Sequence, residues 1–462
     1  MNKKQMLKHG ITNEMANIGV DCIKKAAQAG FFNGKTVNSF IKKVIENPSE
    51  YANHEHFGDF AKSLIIEAEP EFVPSSPIDF PIWGEGIDSN AIEQMKVACQ
   101  TPVAVAGAIM PDCHLGYGLP VGGVLATDNS VIPYAVGVDI ACRMAFTIFD
   151  LPVKLIDTNL LKLQKAIEDG TNFGMGGEYR NKFSHRVMDQ NWTVSPITKQ
   201  MKDRAWAQLG TSGTGNHFVE FGIATLTKPE LGLEPGEYLA LMSHSGSRGT
   251  GAQVCKHYSE VAVQSIPKKY REYFKYLAWL DLDTEAGQEY WNAMNLMGDY
   301  ASANHECIHN SITDSIGADV LAKIENHHNF AWKEIHGGKE VIVHRKGATP
   351  AGKGVLGVIP GSMADPAYIV RGKGSVSSLE SASHGAGRRM SRRQGVKEMK
   401  WEYWRGVLAE RGVKLISGGL DEVPGVYKDI RKVMSEQSDL VDIVAEFQPR
   451  IVKMADDGKA ED

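Results

Sequence analysis

The densest chemistry in the chain lies in Ser381-Ala382-Ser383-His384-Gly385-Ala386-Gly387-Arg388-Arg389-Met390-Ser391-Arg392-Arg393. One imidazole stands among residues too small to shield it, and four guanidiniums follow within nine positions. Glycines let a backbone approach a ligand closely because no Cβ intervenes. Unblocked N–H groups beside arginines suit phosphate oxygens, and an imidazole held there can itself attack phosphorus. A glycine-rich surface loop beside a solvated basic helix has the same composition, so the other polar clusters must decide between the two.

Four such clusters end apolar runs. In Gly137-Val138-Asp139-Ile140-Ala141-Cys142-Arg143, a carboxylate and a thiol three residues apart can point the same way from one turn. Both are ligands for divalent metals, although a turn aspartate and a buried cysteine would look alike. In Gly213-Thr214-Gly215-Asn216-His217-Phe218-Val219-Glu220, His217 opens an alternating strand, and Asn216 and Glu220 can read a base or ribose edge. His244-Ser245-Gly246-Ser247-Arg248-Gly249 closes another strand with a histidine, hydroxyls and an arginine, which suits a metal bridging to phosphate. The fourth cluster is His327-His328-Asn329. Together these donors would hold one or two borderline metals, with Mn(II), Zn(II) and Fe(II) compatible by ligand type.

Two further loops face phosphate by composition, His344-Arg345-Lys346-Gly347-Ala348-Thr349 and Pro360-Gly361-Ser362-Met363. Neither is the G-x-x-x-x-G-K-[ST] loop of common NTPases, and no G-x-G-x-x-G follows a strand with an acidic follow-up, which disfavours a dinucleotide enzyme.

These residues need elements to hold them. Short apolar runs read as buried strands: Val103-Ala108, Gly122-Thr127, Val131-Ile140, Phe218-Ile223, Tyr238-His244, Val341-His344, Val355-Ile359 and Tyr368-Val370. A helix over Glu285 to Ile308 would put Tyr290, Met294, Met297 and Ala301 on one face. Strands and helices do not alternate regularly, so the fold class is α+β with a mixed sheet rather than a doubly wound sheet. Ahead of this part, Thr12–Gly30 and a run with Val37, Phe40, Ile41, Val44 and Ile45 at helical spacing form an N-terminal helical segment over 1–70. Thr36 is its candidate N-cap, and Pro48 lies beyond its end. The proline-rich stretch from Glu69 to Trp83 reads as a linker, and a catalytic domain occupies 71–462.

At 462 residues the chain can bury a large core, and 42% hydrophobic with 23% charged residues is ordinary for a globular protein. The net charge of −6 excludes a wholly basic nucleic-acid binder, so a polyanion must be held locally. Arg388 to Lys400, with six basic residues and one acid, is such a patch. The six cysteines show no C-x-x-C pair, and no apolar run approaches membrane-spanning length. Free thiols in the cytoplasm are the expectation, with no membrane association.

Taken in order, Met110-Pro111-Asp112-Cys113-His114-Leu115-Gly116-Tyr117-Gly118, the Gly137–Cys142 turn, Gly213-Thr214-Gly215-Asn216-His217-Phe218-Val219-Glu220, His244–Gly249, Arg345–Thr349, Pro360–Met363 and Ser381–Arg388 resemble the RtcB family of RNA ligases. The resemblance covers the chain from about Pro81 to near its end. It implies a GTP- and Mn(II)-dependent ligase that joins an RNA 3′-phosphate or 2′,3′-cyclic phosphate to a 5′-hydroxyl, in RNA repair or tRNA splicing. By the same resemblance His384 is the guanylylated nucleophile. Asp139, Cys142, His217, His244 and His328 are metal ligands. Asn216, His217, Phe218, Val219, Glu220, His328, Asn329, Pro360, Gly361, Ser362, Met363, His384, Gly385, Ala386 and Gly387 form the guanylate pocket.

Of two His-Asn pairs, His309-Asn310 and His328-Asn329, the second is chosen because the Arg345–Thr349 loop follows it closely. Three departures mark a divergent subgroup. Ala367 stands where the family usually has a nucleotide-contacting serine. Ala141 and Arg143 flank Cys142 where glycines are usual. Lys453, the candidate for the family's guanine-contacting lysine, is followed by an acidic tail. The rival reading is a metal-dependent phosphohydrolase that acts on RNA ends without nucleotide. No motif speaks to the identity of the RNA or to the need for an activating protein partner.

Overall fold

The computed structural model describes residues 2–9, 11–32, 36–65, 74–174 and 176–456. The chain forms two compact units that divide between Pro74 and Ser75. The boundary expected at 70/71, and the first part of the expected linker, lie outside the described residues.

The N-terminal unit is helical. Asn13–Gln28 begins where the Thr12 hydroxyl accepts the Met15 N–H, satisfying one of the orphan donors of the first turn. Val37–Glu46 starts after Thr36 as expected, but the Thr36 side chain makes no cap bond because its backbone is already helical. Ile41 and Val44 on its inner face pack with Phe57, Phe60 and Ala16, giving the unit its own core.

In the second unit an eight-stranded sheet dominates. Its order is Val320–His327, Arg143–Phe149, Gly236–Ser245, Phe218–Leu226, Val441–Met454, Ala367–Gly372 and Leu356–Ile359, all antiparallel. Lys414–Ser417 adds the one parallel pairing, along the far end of Val441–Met454, which makes the sheet mixed as expected. A four-stranded antiparallel sheet runs Ala104–His114, Val121–Thr127, Lys339–Lys346, Asn329–His336.

Both faces of the large sheet are covered. Met144, Phe146, Ile148, Met242 and Phe447 pack on one side. Phe149, Phe221, Leu241 and Ile451 meet Leu163, Ile167, Ile308 and Ile312 on the other, from the helices Leu160–Gly170 and Glu285–Ile316. The second helix is longer than the expected Glu285–Ile308, and Tyr290, Met294, Met297 and Ala301 are buried along it as its spacing requires.

One strand expectation changes. Val131–Ile140 is not one strand: Ser130–Val131 is followed by a helical turn, Pro133–Val136. Proline has no N–H for a ladder, and its fixed φ suits a first helical turn. Arg143–Phe149, buried along its whole length between two neighbours in the sheet, is the strand that follows instead.

Phe447 is fully buried and meets Phe146 edge-on at 5.3 Å. Phe447→Ala should cost about 3–5 kcal/mol through lost burial and the cavity left behind. That loss would appear as a lower denaturant midpoint for the second unit, and a loss below about 1 kcal/mol would contradict this packing. None of the six cysteines forms a disulfide. Among the described residues no helix is long and apolar enough to cross a membrane.

Candidate active site and metal centre

An antiparallel sheet gathers at one rim the residues that end one strand and begin the next. Here His327 pairs with Arg143, Arg143 with Ser245, Phe218 with His244, and Met454 with Phe218. Cys142 therefore lies just before one strand, His217 just before another, and His244 near the end of a third. His328 is the single residue between Val320–His327 of the large sheet and Asn329–His336 of the small one, and its N–H donates to the Cys142 carbonyl at 3.0 Å.

These side chains converge. Cys142 Sγ is 3.1 Å from His244 Nε2 and 3.4 Å from His217 Nε2. His244 Nε2 is 3.1 Å from His328 Nε2, and His217 Nε2 is 3.1 Å from Asp139 Oδ2. Two donor groups result, Cys142–His244–His328 and Asp139–Cys142–His217, and they share the thiol.

The protons are placed by the backbone. A carbonyl only accepts, so His217 Nδ1 donates to Ser212 O at 2.7 Å and His244 Nδ1 donates to Asn216 O at 3.0 Å. His244 Nε2 is left with a lone pair that points inward, and His217 Nε2 faces the Asp139 carboxylate and the Cys142 sulfur. Burial, together with the neighbouring His217, pushes His244 down to about 3, and burial holds His328 well below the ordinary histidine range. An imidazole kept neutral by burial and anchored through its outer nitrogen to a carbonyl, as His244 is, is what a metal requires of a ligand. Burial alone would raise Asp139, but the hydrogen bond and charge of His217 outweigh it and keep the carboxylate ionised. Inward-facing imidazole nitrogens, a thiol and a part-buried carboxylate fit one or two divalent cations.

The turn that carries Asp139 and Cys142 is strained and clamped. Ala141 takes a left-handed φ of +57°, a conformation that costs any residue with a Cβ. Its N–H donates to Asn329 O at 2.6 Å, and Asn329 Nδ2 donates to Asp139 O at 3.2 Å. Ser247 N–H donates to Asp139 Oδ1 at 3.1 Å. A Cβ on neighbouring Gly246 would collide with the Asp139 carboxylate, so only glycine fits there.

His384 stands beside this cluster, its ring 4.9 Å from that of His328. Asp112 Oδ2 accepts both the His384 backbone N–H at 3.1 Å and its Nδ1–H at 2.7 Å. Asp112 is completely buried, which raises its pKa, yet the hydrogen bond from His384 and the charge of nearby Lys428 hold it below the carboxylate range. The imidazole thus keeps its proton on Nδ1 and presents an Nε2 lone pair. Asp112 was quoted above only as part of a motif. The signal that could have singled it out is a carboxylate inside the apolar run Ala104–His114, where burial demands a partner.

A cleft of about 1300 Å³ joins these groups. It is lined by Asp139, Cys142, Asn216, His217, Phe218, Glu220, His244, His328, Asn329, Pro360 to Met363 and His384 to Gly387. Val219 and Ala367 lie outside it, in the cores on opposite faces of the large sheet. Strand alternation sends Val219 away from its neighbours Phe218 and Glu220. Lys453 lines a separate cavity of about 330 Å³ with Phe173, over whose ring its ammonium sits at 5.3 Å. Asn329 is committed to the Asp139 turn and to Gly347, whose N–H its Oδ1 accepts at 2.9 Å. His309 bridges Thr147 and Ser243 inside the core, which leaves His328 as the histidine at the cluster.

Several arginines read as phosphate-facing are otherwise engaged. Arg345 is fully buried, forked onto Glu334 at 2.6 and 3.0 Å and stacked on Trp332. Arg388 pairs with Glu422, and Arg392 with Asp421 and Glu422, so two acids distant in sequence offset much of the Arg388–Lys400 charge. Arg389 and Arg393 remain exposed.

Comparison with known proteins places this geometry. A sequence model of one family, described as tRNA-splicing ligase RtcB, matches residues 94–196 and 190–454. The chain is similar to RNA-splicing ligase RtcB1 of Escherichia coli, 31% identical over 403 residues that cover 80% of this chain and 95% of that protein. It is similar also to the tRNA-splicing ligase RtcB of Archaeoglobus fulgidus, 31% identical over 433 residues, 78% and 88% of the two chains. The N-terminal helical unit precedes the matched residues. The chain belongs to the RtcB family of tRNA-splicing ligases.

Proposed function

We propose that this protein is a GTP- and Mn(II)-dependent RNA ligase, joining RNA 3′-phosphate or 2′,3′-cyclic phosphate ends to 5′-hydroxyl ends through a histidine–GMP intermediate. The observation that carries the reading is His384, tethered through Nδ1 to buried Asp112 at 2.7 Å and set 4.9 Å, ring to ring, from a histidine of the donor cluster.

Imidazole attacks phosphorus only through an unprotonated nitrogen. The Asp112 carboxylate fixes the proton on Nδ1, aims Nε2 into the cleft and stabilises the positive charge that grows on the ring as the N–P bond forms. His384 Nε2 bonds to the α-phosphorus of GTP and pyrophosphate leaves. Asp139, Cys142, His217, His244 and His328 would hold Mn(II), which would supply charge neutralisation at the phosphates.

Gly385 and Gly387 let the backbone lie close to the nucleotide, and the Pro360–Met363 loop faces the same space. GMP then passes from His384 to the RNA 3′-phosphate, restoring the imidazole. The 5′-hydroxyl attacks that activated phosphate and GMP departs. A cyclic phosphate must first be opened by water.

An RNA carrying a 3′-phosphate, offered with a 5′-hydroxyl strand, should be joined with GTP and Mn(II) and left unjoined without GTP. Release of inorganic phosphate at equal rates with and without GTP, and no joined product, would favour the phosphohydrolase.

A further inference from the structure

We infer that Tyr117 and Tyr276, at the mouth of the cleft, form a stacking platform for a nucleobase of the RNA end being joined, an assignment that rests on the ligase reading. Both rings line the same cleft as His384. Tyr117 is 64% exposed, Tyr276 is 41% exposed, and Leu115 beside them is 53% exposed. The two tyrosine rings lie 5.8 Å apart, and Tyr134 meets Tyr276 edge-on at 5.2 Å. Aromatic rings kept for packing are largely buried, whereas most of Tyr117 stays in water, so loop packing does not account for it.

The platform is rigidly mounted. Lys346 Nζ donates to Tyr117 O at 2.6 Å, and the Gln94 amide holds Gly116 through both its N–H and its carbonyl. Gly118, with φ +69°, packs so tightly on the Tyr276 backbone that a Cβ there would clash. The mount also connects to the nucleophile: Gly347 follows Lys346 and lies against the His384 ring, where a Cβ would stand 3.1 Å from Cε1.

Charge supports a polyanionic strand over an apolar partner. Lys275 Nζ is 5.8 Å from the Tyr276 ring and exposed Arg389 lines the cleft, whereas Lys346, Lys428 and Lys432 are held by Tyr117 O, by Pro111 O and Cys113 O, and by Glu436. Every base has a π-face, so rigid rings beside cations hold single-stranded RNA without regard to sequence. A strand with its terminal phosphate at His384 would lay a flanking base at this rim.

The test uses the full chain with Tyr117→Ala, Tyr276→Ala and Tyr117→Phe. It reads self-guanylylation by GTP with Mn(II), and the Kd for an oligoribonucleotide ending in a 3′-phosphate. The alanine variants should take up GMP like the parent and bind RNA about 5- to 100-fold more weakly. Tyr117→Phe should bind like the parent. An abasic site beside the terminal phosphate should weaken the parent and add nothing to Tyr117→Ala. Unchanged RNA affinity in both alanine variants would overturn the platform. So would a defect confined to GTP use, which would assign these rings to guanine. Were the parent to take up no GMP, the ligase reading would fall, while the RNA Kd series would still decide the platform.

Discussion

Cys142→Ala should weaken Mn(II) binding and abolish guanylylation while leaving the large sheet folded. Its sulfur lies 3.1 Å from His244 Nε2 and 3.4 Å from His217 Nε2 and belongs to both donor groups, so one substitution depletes each. Loss of an outer partner of a metal ligand typically costs about 10–100-fold in affinity, and loss of a shared ligand should exceed that. Cys142 opens the rim rather than filling the core, so the thermal transition of the metal-free protein should move little. Calorimetric titration with Mn(II), alongside a melt, separates the two effects. Unchanged metal affinity and unchanged adduct would make Cys142 a small core residue and break the metal assignment.

Asp112→Asn should slow guanylylation by up to about 10⁴-fold, the loss that follows when the orienting aspartate of a Ser-His-Asp triad is replaced by its amide. Asparagine can donate its amide N–H to Nδ1, which would drive the imidazole proton onto Nε2 and remove the attacking lone pair. Mn(II) affinity should be retained, because Asp112 touches none of the cluster donors. The check is a single-turnover rate of adduct formation with GTP, paired with the Mn(II) titration. Charging at the parental rate would leave His384 without need of its carboxylate and weaken the nucleophile assignment.

The donor cluster was legible because each of its members ends or begins an apolar run. Antiparallel pairing turns strand ends into neighbours, so Cys142, His217, His244 and His328 meet on one rim though they are scattered in sequence. Arg143–Phe149 was hidden by its burial on both faces, which erases alternation, and by a leading arginine whose charge is met by Glu325 and by the Gly298 carbonyl at 2.9 Å.

Arg345 misled through its company. Read at strand spacing it shares the face of Val341 and Val343, which pack in the core, and that periodicity outranks its basic neighbours. Arg388 and Arg392 were read as open phosphate binders because Asp421 and Glu422, which pair with them, lie some thirty residues on. Val441–Met454 is the long central strand in spite of Pro449, because a register shift between Pro449 and Ile451 absorbs the missing donor. Asp112 needed the fold: nothing in the sequence says that its strand passes beneath His384.

The central claim is that His384 carries GMP. After incubation with GTP and Mn(II), intact mass should show one added GMP per chain, and peptide mapping should place it on His384. The bond should be lost in acid, because protonated nitrogen is a good leaving group, and should survive alkali. His384→Ala should show no adduct and still bind Mn(II). An adduct that persists in His384→Ala, or one that is stable to acid and cleaved by alkali, would contradict the account.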